Sequence, residues 1–385
     1  MSDDRLRRWR LILGGGDADG TGEELSGVDR KRDGTLEALY GKEKRGGGLG
    51  GSSPRVARWL GDIRGYFPAS VVQVMQRDAM DRLGLRQLLL EPELLESVQP
   101  DVHLVGTLLS LNQAIPERSR ETARAVVRQV VDELERKLAQ PTRQAVTGAL
   151  HRAGRTSRPR AGDIDWNRTI LANLKHYQPA HRTVVPERLL GYGRRLLQVS
   201  REVVLCLDQS GSMAASVVYA GVFGAVLASI RSLRTQVIAF DTEIADLTDA
   251  VSDPVELLFG VQLGGGTDIN AALAYCQSRV ANPRDTIFVL ISDLYEGGDN
   301  DEMLRRAQAM VASEMQVVCL LALSDDGAPA YDHDNAAALA ALGVPTFACT
   351  PGKFPDLLAA AIQRDDLAGW AGANDIPLAA PADET

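Results

Sequence analysis

Residues 203–213 read Val-Val-Leu-Cys-Leu-Asp-Gln-Ser-Gly-Ser-Met. Five apolar residues in succession, Val203 to Leu207, predict a strand buried on both faces, as in a parallel sheet covered by helices. The run breaks at Asp208, and Ser210 and Ser212 follow at alternate positions with Gly211 between them. The polar cluster is therefore expected at the carboxyl end of a central strand, where open α/β sheets place their ligand sites. One carboxylate and two hydroxyls curled around a glycine can turn three oxygens toward one point. That donor set suits a hard divalent cation.

Outward from this stretch, apolar strands alternate with helices. Candidate strands are 203–207, 236–240, 286–291, 316–323 and 345–348, and candidate helices are 217–231, 268–279, 301–313 and 355–362. The alternation predicts an α/β fold with a doubly wound, mostly parallel, Rossmann-like sheet. Two further strand ends are polar. Gly264-Gly265-Gly266-Thr267-Asp268 opens the helix that begins at Ile269, and Ser292-Asp293 closes the apolar run 287–291. The glycines before Thr267 allow that loop a close approach. Carboxylates and hydroxyls from three loops thus share one edge of the sheet.

Asp208-x-Ser210-x-Ser212, Thr267 and Asp293 resemble the metal-ion-dependent adhesion site of the von Willebrand factor type A (VWA) fold. The resemblance covers about residues 200–365 and implies that the serines and Thr267 bind an ion directly. The two aspartates would bind it directly or through water. Mg²⁺ is the expected ion from its preference for octahedral oxygen ligands, with Mn²⁺ as the alternative. Three neutral hydroxyls and two carboxylates balance the ionic charge only in part, so a carboxylate from a partner protein can complete the shell. Phe240-Asp241 resembles the end of the next strand of the family, and Asp241 is assigned no metal role.

Upstream, Pro92, Pro100, Pro116 and Pro141 are expected to divide residues 54–153 into several helices. One of these carries an apolar stripe at Val126, Val127, Val130, Val131, Leu134 and Leu138. Residues 1–53 hold two glycine-rich patches, 14–16 and 46–51, and read as a flexible segment; neither patch has the lysine or the preceding strand of a phosphate loop. Residues 154–199 form a connector. His176 and His181 are spaced i, i+5 around a proline, unlike a zinc-binding helical pair, and are given no ligand role. The VWA domain is placed at 200–366, and 367–385, rich in Ala, Pro and Asp, is expected to be disordered.

The helical block, the connector (Asp165-Trp166, Asn173-Leu174, His176-Tyr177, Gly191-Tyr192-Gly193-Arg194) and the C-terminal VWA domain together resemble bacterial CoxE-like proteins. Those are similar to partners of MoxR-type AAA+ ATPases. The resemblance implies a non-enzymatic adaptor or co-chaperone that joins such an ATPase to a client protein.

Composition agrees with a soluble, cytoplasmic reading. Of 385 residues, 45% are hydrophobic and 24% charged, ordinary for a globular chain. Aromatic residues make up only 5%, which argues against a stacking surface for single-stranded nucleic acid. The net charge of −9 is unevenly spread. Residues 1–200 carry 33 Lys+Arg against 25 Asp+Glu, and the remainder 9 against 26, so the halves are of opposite sign. Cys206, Cys276, Cys319 and Cys349 form no paired motif and read as core residues, suiting a reducing compartment. The N-terminus lacks a secretory signal, and the apolar run 219–230 falls short of the roughly 20 residues that span a bilayer.

Two alternatives accompany this reading. Asp208 as the nucleophile of a Mg²⁺-dependent phosphatase lacks the second carboxylate two positions on, where Ser210 stands. An ion that only staples three loops of a scaffold is the other.

Overall fold

The computed structural model describes residues 10–11, 25, 27–40, 53–82, 91–153, 155–192, 201–260, 265–324 and 329–379. The glycine patches at 14–16 and 46–51, and Gly264, lie outside the described residues. The chain forms two compact units, Met1–Val130 and Val131–Thr385.

The first unit is helical: α1 (Gly27–Tyr40), α2 (Ser53–Tyr66), α3 (Ala69–Arg82), α4 (Pro92–Ser97), α5 (Val102–Ser110) and the start of α6 (Glu117–Ala153). Helix α2 buries Val56, Leu60 and Ile63, an i, i+4, i+7 stripe. Its Trp59 is buried too, and the indole Nε1 donates to the Thr35 carbonyl of α1 at 3.0 Å. Asp101 caps α5 by accepting from the Leu104 amide at 2.7 Å, satisfying one of the free donors at a helix start.

Two expectations need correction here. The segment 1–53 contains a helix, α1, with Thr35 and Leu39 buried. Its charged residues outnumber its apolar ones, so tertiary contact rather than a visible stripe holds it. Pro141 does not end a helix either, since α6 runs through it for 37 residues. The proline removes the ladder bond to the Lys137 carbonyl. One residue on, Thr142 Oγ1 donates to the Leu138 carbonyl at 2.6 Å.

The second unit holds the rest of α6 and then the connector: β1 (Arg155–Thr156), α7 (Trp166–Ala172), β2 (Tyr177–Gln178), β3 (Thr183–Val184) and β4 (Gly191–Tyr192), with β1–β4 and β2–β3 paired antiparallel. Then follow β5 (Arg201–Asp208), α8 (Ala214–Ala228), β6 (Leu233–Phe240), β7 (Ile244–Asp246), α9 (Pro254–Gly260), α10 (Ile269–Arg279), β8 (Thr286–Ile291), α11 (Asn300–Ala312), β9 (Gln316–Leu323), α12 (His333–Ala341), β10 (Thr346–Cys349), α13 (Phe354–Gln363) and α14 (Leu367–Ala373).

Strands β5 to β10 make one sheet in the order β10-β9-β8-β5-β6-β7, parallel except for β7. The expected α/β architecture is present. Strand β7 and helices α9 and α12 were not expected; β7 is three residues long and mostly exposed, too short to show a period. The chain leaves β5 toward β6 and later returns to β8 on the other side of β5. The strand order therefore reverses between β5 and β8, and their carboxyl ends frame the crevice such sheets use for ligands.

Side chains alternate across the sheet. Val204, Cys206, Phe288 and Leu290 belong to a core cluster with residues of α10, α11 and α12. Leu205, on the opposite face, lies toward α8, whose Gly224 comes so near the sheet that an added Cβ would meet Val237 Cγ2 at 3.0 Å. Helix α8 is apolar almost all round, the pattern of a buried helix. The stretch Gly211–Ala228 is long and apolar enough to cross a membrane by length and composition, contrary to the expectation, and 72% of it is buried within the fold. All four cysteines are buried and free.

The end of the chain also departs from expectation. Residues 367–373 form α14, with Leu367 and Ala371 buried, and Leu378 bridges Phe347 on the edge strand β10. The composition looked unstructured because alanine and glycine dominate the helix, yet small residues let it pack closely.

Candidate metal centre

Strand register builds the site. In the parallel pair β5–β8, Leu207 lies opposite Ile291, so Asp208 and Ser292 leave the sheet side by side. Asp208 is buried, and Ser292 Oγ donates to its Oδ2 at 2.6 Å while the Ser210 amide donates to its Oδ1 at 2.8 Å. The second bond curls the backbone after β5, and the Met213 amide closes the next turn on the Ser210 carbonyl at 2.9 Å. Ser210 and Ser212 thereby face each other, Oγ to Oγ, at 3.1 Å. Ser212 Oγ in turn donates to Asp293 Oδ2 at 2.5 Å. Asp208, Ser210, Ser212 and Asp293 form one connected oxygen cluster.

Thr267 reaches the same edge differently. Its carbonyl accepts from the Gly297 amide at 2.8 Å, four residues past Asp293. Gly297 has no room for a side chain, because an added Cβ would lie 2.8 Å from the Thr267 oxygen. The next residue, Asp268, donates its amide to the Asp241 carbonyl at 2.8 Å and caps α10 by accepting from the Ala271 amide. Among the described residues Thr267 makes no hydrogen bond to the other four. The structure thus joins four of the five and holds the fifth on the adjoining loop.

Ser292 was read from sequence as part of a polar strand end but given no role, and Leu294, Glu296 and Asn335 were not singled out. Ser292 locks Asp208, and its oxygen also accepts from the Leu294 amide at 3.0 Å. Leu294 is buried with φ +66°, a conformation costing about 1–2 kcal/mol for a non-glycine residue. Asn335 Nδ2 donates to the Leu294 carbonyl at 3.0 Å and helps hold it there. Glu296 accepts from the Ile269 amide at 2.7 Å and from the Gly298 amide at 3.0 Å, tying the loop after β8 to the start of α10. A Glu-Gly-Gly run following an apolar strand was the available signal for such a tight loop.

Charge follows from burial. Desolvation raises the Asp208 carboxyl above its ordinary value, with the nearby Asp293 charge adding; the Ser292 and Ser210 bonds pull it back. Desolvation likewise raises Glu296, against the pull of its backbone donors.

The donors fit a hard cation. In an octahedron with Mg–O distances of about 2.1 Å, adjacent oxygens lie about 3.0 Å apart. The 3.1 Å between the two serine hydroxyls is close to that edge. Among the described residues no group of three or more His, Cys, Asp or Glu side chains is arranged to hold a metal. The cluster here carries two carboxylates, its other side-chain oxygens being hydroxyls.

A doubly wound sheet with a D-x-S-x-S turn after its central strand defines a VWA domain, and residues 134–358 match the family described as VWA domain containing CoxE-like protein. The chain belongs to that family. It is also similar to the uncharacterised protein YehP of Escherichia coli (strain K12), 37% identical over 370 residues that cover 93% of this chain and 97% of the relative. Among solved structures it is similar to an aerotolerance-related membrane protein of Bacteroides fragilis, with a TM-score of 0.33 and 16% identity over 43% of this chain and 98% of the other. BatB of Bacteroides thetaiotaomicron matches with a TM-score of 0.33 and 14% identity over 44% of this chain and 99% of the other.

Proposed function

We propose that this chain is a cytoplasmic, metal-ion-dependent protein-binding adaptor. Asp208, Ser210, Ser212, Thr267 and Asp293 hold Mg²⁺ or Mn²⁺ at the carboxyl edge of the sheet. The bound cation supplies an electrophilic position that a partner's carboxylate completes. The partners in this reading are a MoxR-type AAA+ ATPase and the client it remodels or matures.

The observation that carries the reading is the oxygen chain Ser210–Ser212–Asp293 beside the buried Asp208. The cluster also favours binding over turnover. A phosphatase using Asp208 as nucleophile needs a general-acid carboxylate two residues on, and Ser210 stands there.

The test is calorimetric titration of the full chain with Mg²⁺ and Mn²⁺, beside co-purification with the ATPase with and without EDTA. Saturable cation binding lost in Ser212→Ala and Asp208→Ala, with ATPase capture lost in parallel, supports the proposal. Equal cation binding by the variants refutes the site. ATPase capture indifferent to EDTA refutes the coupling.

A further inference from the structure

The connector helix α7 is amphipathic the wrong way round for a free surface. Its polar residues face inward: Thr169 is buried, donates to the Leu190 carbonyl at 3.0 Å and accepts from the Leu190 amide at 3.0 Å. Asn173, also buried, donates to the Arg188 carbonyl at 2.8 Å and accepts from the Glu187 and Arg188 amides. The apolar residues face out. Trp166, Ile170 and Leu174 follow at i, i+4 and i+8 beside Leu171, and all four are exposed, Leu171 at 67%. With Tyr177 and Val185 they make up six of the thirteen large exposed hydrophobic residues among those described. Single exposed hydrophobic residues are common on soluble proteins, whereas a cluster of this kind marks an interaction site.

A concave pocket of about 240 Å³ lies at the start of α7, and its lining includes Asp165, Arg168, Arg188, Leu190 and Tyr192. Arg168 and Arg188 are both exposed. Arg168 already pairs through Nε with Asp165 Oδ2 at 3.7 Å, and the Arg188 guanidinium supplies a planar donor pair that matches a carboxylate. The pocket is braced from below, where the Tyr192 hydroxyl donates to Asp165, whose other oxygen caps α7 at the Arg168 amide. Across residues 155–192 the sequence holds seven basic residues against three acidic ones.

We infer that the connector is a second docking surface, which captures an acidic, amphipathic segment of a partner protein. Apolar side chains of that segment lie on Trp166, Ile170, Leu171 and Leu174, and one of its Asp or Glu side chains enters the pocket between Arg168 and Arg188. The internal bonds of Thr169 and Asn173 fix α7 before the partner arrives, which lowers the ordering entropy of association. An anionic bilayer fits less well, because α7 spans only 7 residues and the arginines converge on a pocket sized for one side chain. The surface does not depend on the metal reading, and the two are separable by experiment.

The test is selection of a random 12-residue peptide library, displayed on phage, against the immobilised full chain. The expected result is enrichment of peptides that combine Asp or Glu with aromatic or aliphatic residues. Binding of the enriched peptides, synthesised and labelled, falls about tenfold or more in Leu171→Asp and, separately, in Arg188→Glu. Both sites are exposed, and circular dichroism checks that the variants remain folded. Binding is unchanged by EDTA and in Ser212→Ala, so it stands whether or not the metal site does. Absent enrichment, basic or neutral winners, or equal binding by both variants overturns the inference. So does a preference for phosphatidylglycerol vesicles over peptides, or a dimer in light scattering that both variants dissolve, which would assign the surface to a membrane or to a second copy.

Discussion

The Ser292 hydroxyl donates to the carboxylate of Asp208 at 2.6 Å, joining residues 84 positions apart at the ends of two neighbouring strands. This bond does more than any other to steady the buried negative charge. Ser292→Ala strips that oxygen of its partner without opening a route for water, and is expected to destabilise the protein by about 1–3 kcal/mol. Burial already raises the Asp208 carboxyl, and losing a bond that lowers it raises it further. A raised carboxyl binds its proton more readily in the folded than in the unfolded state, so its ionisation costs stability as pH rises through that window. The deficit of the variant should therefore be full near neutrality and shrink on acidification toward the ordinary carboxylate value. Urea titrations at several pH values, without metal, check this; a deficit independent of pH disproves the role given to Asp208.

Much of this site was legible because it sits where strand patterns end. The five apolar residues from Val203 and the run 287–291 locate two adjacent strand ends, and the residues just beyond them form the oxygen cluster. What could not be read is contact that crosses elements. Ser292 pairs with Asp208 only because Leu207 lies opposite Ile291 in the sheet, a register no local pattern encodes. Glu296 reaches Ile269 only because the loops after β8 and before α10 are neighbours. Helix α1 and helix α14 were missed for the opposite reason: their local composition favours loops, and packing overrides it.

Glu296 is a positioning residue for the Thr267 loop. Its carboxylate takes the amides of Ile269 and Gly298, and the Gly297 amide between them holds the Thr267 carbonyl. Glu296→Ala is expected to cost about 1 kcal/mol of stability, in the range of lost helix caps. Glu296→Gln keeps one acceptor oxygen but turns its NH2 toward the other amide donor, so it should recover only part of that loss. In a cation titration the alanine variant should bind Mg²⁺ more weakly than wild type, with the glutamine variant between the two. Equal affinities for all three would show that the loop holds Thr267 unaided.

The buried thiols give a direct clock for opening of the sheet. Burial pushes Cys349 up to about 12 and raises Cys206 and Cys319 as well. Only the thiolate reacts with alkylating reagents, so at pH 8 the folded protein should be almost inert. Unfolding restores ordinary thiols of pKa about 8.5 and hence rapid labelling. The labelling rate should track the fraction unfolded across a urea series. Mg²⁺ should slow it if the site binds the ion in the folded state alone. Rapid labelling of folded protein at pH 8 would show that the sheet breathes far more than its packing allows.

Residues after 366 close the exposed edge of the sheet. Strand β10 is the outermost parallel strand, and beyond it the Ala379 amide donates to the Thr346 carbonyl at 2.9 Å while Leu378 bridges Phe347. Leu367 and Ala371 are buried, and the Trp370 ring lies 6.2 Å from that of Phe347. A sheet edge with unpaired backbone groups invites pairing with another chain, and native proteins cover it. Truncation after Asp366 removes that cover. Lost apolar burial and ring contact together amount to roughly 2–4 kcal/mol. The shortened chain should therefore melt earlier and self-associate at concentrations where the full chain does not. Differential scanning calorimetry and light scattering on the two forms decide the matter. A truncated protein that melts with the full chain and stays dispersed would return this segment to the role of a passive tail.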